Sequence, residues 1–155
     1  MRDRILGEAV RITTQQGWTA VTMGRLAEAV GVSRQTIYNE VGSKSALAEA
    51  MILDELRRFL DVVESAFAAH PDDLAPAIRA AVESVLEHAR GNALLHAVVS
   101  ATHGTDTDLL PLLTTHSGEL LTTARDVVLK HVRQYDVDVE ADRLEAAVDT
   151  VVRVV

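Results

Sequence analysis

Residues 22–44 read TMGRLAEAVGVSRQTIYNEVGSK, and their pattern indicates two short helices close together in the chain. Thr22 can cap a short helix that Gly31 ends, and Ser33 can cap a second helix that runs through Tyr38. Only a few residues, with a glycine in the turn, then separate the two helices. This spacing predicts a helix-turn-helix.

The second of these helices carries hydrogen-bonding side chains of the kind that read base edges in a major groove. Hydroxyl, ammonium and backbone N–H groups at neighbouring helix ends can bind phosphates. Taken singly, Arg34 and Gln35 could also be ordinary surface residues, and Tyr38 could pack on the following helix. Within the motif we predict a DNA contact surface made of Thr22, Ser33, Arg34, Gln35, Thr36, Tyr38, Asn39, Ser43 and Lys44.

Helical spacing of apolar residues continues in both directions from this stretch. It predicts a first helix over residues 2–16 with Gly17 as its cap, and a long helix from Ser43 to about His70. Further helices are predicted over about 74–91, 93–102, from about 109, over 120–132 and from about 140. The fold class is therefore all-α.

Composition excludes several classes of protein. The chain has 155 residues and no cysteine, which removes disulfides, thiolate metal sites and cysteine nucleophiles. No signal peptide or long uncharged apolar run is present, so we expect a cytoplasmic protein with no membrane association. The net charge is −8, but residues 1–50 carry +1 and the remainder −9. Charge therefore permits DNA contact at the N-terminal region.

The six histidines raise metal and catalytic alternatives. Glu83 and Glu87 share a helix face with His88 adjacent, which could supply metal ligands but is more typical of a solvated acidic face. His96 is either a hydrogen-bonded core residue or a polar contact in a ligand cavity. His116 precedes a serine, but nothing orients a catalytic triad. We expect no enzyme activity, no metal and no cofactor.

The N-terminal residues resemble those of the TetR family of repressors. The sequence departs from the family's usual pattern at Val41, where an aromatic is usual, and at Asn39-Glu40, where a pair containing histidine is usual. Beyond residue 52 it is one of helix number and length only. It covers residues 5–51 and is carried by Ile5, Ala9, Gly17-Trp18, Val21-Thr22, Leu26-Ala27, Gly31-Val32-Ser33, Thr36-Ile37-Tyr38, Gly42-Ser43-Lys44 and Leu47.

The resemblance implies an N-terminal three-helix helix-turn-helix domain over 1–46 and a helical ligand-binding and dimerisation domain over 47–155. The predicted ligand contacts are Val85, Leu86, Leu95, His96, Val99, Leu113, His116 and Leu120. The predicted dimer interface, on the last two helices, consists of Leu121, Ala124, Val128, Val132, Leu144, Val148 and Val151. These two stripes could also be intramolecular core. The final stripe stops at Val155 without a cap, so we expect the chain to lack the rest of that helix.

The resulting hypothesis is a repressor that binds a palindromic operator in double-stranded DNA as a homodimer and is released by a small apolar ligand. Residues 74–132 are rich in aliphatic side chains and contain no Phe, Tyr or Trp, which favours a fatty acid or another long-chain lipid. Aliphatic residues also fill any helical core. One alternative is a DNA-binding protein with no small effector, whose C-terminal domain only dimerises or binds a protein. Another is a small helical enzyme.

Overall fold

The computed structural model describes residues 1–96, 117–137 and 139–154. All regular elements in these ranges are helices, which confirms the all-α class. The predicted helix from about residue 109 lies outside the described residues. The elements are α1 (Arg2–Gln16), a short 3-10 helix (Trp18–Ala20), α2 (Met23–Val30), α3 (Arg34–Val41), α4 (Lys44–Ala69), α5 (Leu74–Gly91), α6 (Ser117–Val132) and α7 (Ala141–Val154).

The described residues form two compact units. Unit 1 consists of residues 1–55 together with 92–96, and unit 2 consists of residues 56–91 together with the described residues from 117 onward. Helix α4 is continuous across residue 46. The functional boundary predicted there stays a prediction.

Hydroxyl side chains begin the three helices that follow α1, as the sequence predicts. The Oγ1 of Thr22 accepts a hydrogen bond from the Arg25 backbone N–H at 3.2 Å. The Oγ of Ser33 accepts from the Thr36 N–H at 3.0 Å, and that of Ser43 from the Ala46 N–H at 3.1 Å. Each cap satisfies an N–H group that has no partner within its helix, so the starts of α2, α3 and α4 are set locally.

The core of unit 1 fixes the angle between its helices. Ile5 and Ile12 of α1, Leu26 of α2, Ile37 of α3 and Leu47 of α4 are fully buried in one cluster. Burying one such side chain contributes about 1.5–3 kcal/mol. These five positions therefore hold the helix-turn-helix rigidly against α1 and α4.

A second cluster forms the core of unit 2, where all four helices contribute. Phe67 of α4, Ala77 of α5, Val132 of α6 and Val148 of α7 are buried in it. The Glu145 carboxylate also joins α6 to α7, because it accepts hydrogen bonds from Arg125 at 2.9 Å and from the nearby Arg133 at 2.7 Å.

Candidate functional site

Helix α3 presents opposite faces to the core and to solvent. Ile37 and Val41 are buried, whereas Arg34, Gln35 and Asn39 are exposed. All nine residues predicted to contact DNA lie in unit 1, and each is exposed or half-buried. The geometry therefore leaves this polar surface accessible to a groove of DNA.

Hydroxyl groups at the helix starts have a double use. The oxygen atoms of Thr22, Ser33 and Ser43 accept capping hydrogen bonds. The Ser33 hydroxyl also lies 2.9 Å from the Thr36 hydroxyl, so these two side chains hold each other at the first turn of α3. The capping hydroxyls of Thr22 and Ser43 only accept in these bonds, so each keeps its hydrogen available for a phosphate oxygen. Tyr38 is 50% exposed, so part of its side chain is accessible.

The Arg34 side chain lies over α2 at Gly24. A Cβ atom added to Gly24 would stand 2.8 Å from Nη2 of Arg34 and 2.9 Å from its Nε. Gly24 therefore provides the clearance that Arg34 needs. This role of Gly24 was not predicted from the sequence, although a glycine inside a regular helix can indicate that another group approaches its backbone closely.

The Lys44 ammonium lies 4.8 Å from the centre of the Trp18 ring. Trp18 itself is buried in the core of unit 1. A cation over an aromatic face is attracted by the ring, so Trp18 holds the charge of Lys44 beside the start of α4. Lys44 was predicted to belong to the contact surface, whereas this role of Trp18 was not predicted from the sequence.

Other classes of site find no support in the described part of the chain. No cluster of three or more His, Asp or Glu residues there could hold a metal ion. None of the described helices combines the length and the apolar character needed to cross a bilayer.

Unit 2 contains a cavity of about 320 Å³. Its eighteen lining side chains are all hydrocarbon, and sixteen of them are aliphatic. Such a wall can recognise only apolar groups. The lining consists of Leu56, Phe59, Leu60, Val63, Phe67, Leu74, Ile78, Ala81, Val82, Val85, Ala124, Val128, Val132, Leu144, Ala147, Val148, Val151 and Val152.

Few of the residues predicted to contact the ligand line this cavity. Val85 does, but the next residue, Leu86, is 40% exposed and absent from the lining. Leu95 and His96 are exposed and belong to unit 1, and Leu120 is half-buried outside the lining. Three further predicted contacts lie outside the described residues: Val99, Leu113 and His116. Leu86 lies outside the lining because α5 turns only one side toward the cavity. The ligand contacts themselves stay a prediction.

The residues predicted for the dimer interface lie mostly on the cavity wall instead. Six of the seven line it: Ala124, Val128, Val132, Leu144, Val148 and Val151. Val132 and Val148 are buried in the core of unit 2, whereas Val151 is 40% exposed. Leu121 is half-buried and does not line the cavity. The dimer and its interface residues stay a prediction.

Two aromatic rings of α4 also line the cavity. Phe67 stacks on His131 with ring centres 5.3 Å apart, and Phe59 meets the edge of His88 at 4.6 Å. The aliphatic interpretation of the sequence considered residues 74–132 alone, and the packing of α4 adds two aromatic rings to the cavity wall.

Comparisons with known proteins agree with this architecture. Residues 5–51 match the family described as bacterial regulatory proteins, tetR family. Residues 73–155 match the family described as bacterial tetracyclin repressor, C-terminal domain. The second match alone covers more than half of the chain.

Related proteins are transcriptional regulators. The chain is 31% identical over 124 residues to the HTH-type transcriptional regulator AlkX of Mycobacterium tuberculosis, which covers 80% of this chain and 58% of AlkX. It is 39% identical over 72 residues to the uncharacterized HTH-type transcriptional regulator Rv1255c of the same species, covering 41% of this chain and 36% of that protein. The chain thus spans less than two thirds of the length of these relatives.

Solved structures show the same fold. The TetR family repressor AlkX from Dietzia sp. is similar with a TM-score of 0.73 and 27% identity, covering 99% of this chain and 79% of that one. The fatty acid degradation regulator FadR from Bacillus halodurans is similar in fold, with a TM-score of 0.63 and 17% identity, covering 98% of this chain and 85% of that one. These matched proteins are regulators rather than enzymes. With both of its regions matched, the chain belongs to the TetR family of bacterial regulatory proteins.

Proposed function

We propose that the chain is a transcriptional repressor that binds operator DNA as a dimer and leaves it when an apolar molecule enters the cavity of unit 2. The observation that carries this proposal is that the two units present surfaces of different chemistry. Unit 1 exposes a polar α3 face beside capped helix starts, whereas unit 2 contains a partly open cavity with only hydrocarbon walls.

The cavity favours an aliphatic ligand, such as a fatty acid or another long-chain lipid. Sixteen aliphatic side chains suit a flexible alkyl chain, whose burial contributes about 0.8 kcal/mol per CH₂ group. The similar AlkX of Dietzia is described as implicated in the biodegradation of n-alkanes, which is consistent with a hydrocarbon signal.

A dimer is proposed because a palindromic operator needs two copies of the helix-turn-helix. The two α3 helices would enter successive major grooves about 34 Å apart. Helix α4 contributes Leu47 to the core of unit 1 and Phe59 to the cavity wall. A ligand that displaces the part of α4 lining the cavity would favour a dimer whose two α3 helices are not spaced to enter successive grooves. DNA would then be released by a shift in population.

Binding of the chain to operator fragments, measured during titration with fatty acids and n-alkanes of graded chain length, tests the proposal. The ligand concentration needed for DNA release should fall as the alkyl chain of the ligand lengthens, until that alkyl chain fills the cavity. Sedimentation should show a dimer in the DNA complex. A DNA complex that none of these compounds affects, with no thermal stabilisation of the protein, would favour a regulator without a small effector.

A further inference from the structure

Two amide side chains are joined on the exposed face of α3. The Nε2 atom of Gln35 donates a hydrogen bond to Oδ1 of Asn39 at 3.0 Å. Both residues are exposed, and their spacing of four places them on one side of the helix. The bond therefore lies on the surface that the proposed function turns toward DNA.

The bond leaves a defined part of the Gln35 amide free. Nε2 carries two hydrogen atoms and only one is used by Asn39, so the other N–H and the Oε1 acceptor remain side by side. Adenine presents an acceptor, N7, and a donor, N6, next to each other in the major groove. The free edge of Gln35 matches that pair in a bidentate arrangement.

The hydrogen bond to Asn39 holds the Gln35 amide in one orientation. With Oδ1 of Asn39 as the acceptor, rotating the Gln35 amide alone would place two oxygens against each other. Arg34, the neighbouring strong donor, lies over Gly24 on α2. At this turn of α3, Gln35 therefore keeps a free donor and acceptor edge while Arg34 lies against α2.

We propose that Gln35 reads one adenine in each operator half-site and that Asn39 is the positioning residue that orients it. The inference rests on the proposed DNA-binding function and adds the identity of a base. Loss of one bidentate contact should reduce discrimination at that position by about five- to 150-fold.

Selection of duplexes from a randomised DNA library by the chain and its variants tests this proposal. Gln35→Ala and Asn39→Ala should both lose the adenine preference at the same position and keep the rest of the motif. Gln35→Glu should change that preference to cytosine, because a carboxylate accepts from cytosine N4. Asn39→Asp keeps an acceptor for Nε2, so it should retain adenine while binding all sequences more weakly.

Gln134→Ala is the matched control, because Gln134 is exposed in unit 2 and should leave the motif unchanged. A motif that survives Gln35→Ala intact overturns the inference but leaves the proposed function in place. The same holds if Gln35→Ala and Asn39→Ala alter different positions. If the unmodified chain selects no motif, the proposed function itself fails and this inference fails with it.

Discussion

The hydroxyl group of Tyr135 donates a hydrogen bond of 2.7 Å to the backbone carbonyl oxygen of His70. His70 follows the last residue of α4, where carbonyl groups have no partner within the helix. The same hydroxyl lies 3.3 Å from the carbonyl oxygen of Phe67. A side chain beyond the end of α6 thus closes the end of α4 within unit 2.

Tyr135→Phe should destabilise the protein without affecting DNA binding. It removes the donor to His70, which should cost about 0.5–1.5 kcal/mol and lower the melting temperature by about 2–4 °C per kcal/mol. Calorimetry and DNA titration measure the two effects. Tyr38→Phe is the reciprocal control, because Tyr38 is exposed and belongs to the predicted DNA contact surface. Loss of its hydroxyl should weaken DNA binding and leave stability unchanged. If the two variants behave alike, these assignments are wrong.

Gly24→Ala should weaken DNA binding although it favours the helix. Alanine in place of glycine stabilises a helix by about 1 kcal/mol, but the new Cβ would displace the Arg34 guanidinium. A loss of about 1 kcal/mol in binding corresponds to about fivefold in affinity. Gly7→Ala in α1 is the matched control, since a Cβ there meets nothing within 4 Å. If both variants bind DNA with equal affinity, the assignment of Arg34 to the DNA contact surface is wrong.

Lys44→Ala should weaken binding to all DNA sequences and reduce the salt dependence of binding by about one unit of slope. The reason is the loss of one phosphate contact held beside α4 by the Trp18 ring. Lys44→Arg should retain the slope. Lys130→Ala, an exposed position in unit 2, supplies the comparison and should change neither quantity. Titrations at several salt concentrations decide between these outcomes.

Ala147→Phe should abolish the response to an aliphatic ligand while the protein still binds DNA. Ala147 lines the cavity of unit 2, and a phenyl ring there occupies the space that the ligand would take. Ala146→Phe is the control, because Ala146 precedes it on α7 and does not line the cavity. Thermal shift with a medium-chain fatty acid and with the matching n-alkane measures the response. An unimpaired response in Ala147→Phe would place the ligand elsewhere.

The helix-turn-helix could be predicted almost residue by residue because its signals are local. Thr22, Ser33 and Ser43 bond to backbone groups three residues further along, and Gly31 adopts a φ of 76° at the end of α2. Interactions over so few residues depend little on the rest of the chain. The starts of α2, α3 and α4 follow from the sequence for this reason.

The cavity could not be located in the same way. An apolar stripe shows that a helix face is covered, but not whether its own chain or a second copy covers it. Val128 and Val148 were predicted to contact a second copy, and both line the cavity of unit 2. Phe59 enters that wall from α4, which no periodicity within 74–132 could indicate.

The core of unit 1 also bears on how such a regulator could be re-engineered. A chimaera that transplants residues 1–46 onto another scaffold would carry every predicted DNA contact. It would leave behind five side chains buried in the same core: Leu47, Ala48, Ala50, Met51 and Leu94. Leu94 comes from beyond α5, so no single cut in the chain retains all five without unit 2. The helix-turn-helix is therefore not independent of the rest of the chain, and a recipient must supply hydrophobic side chains at five matching places.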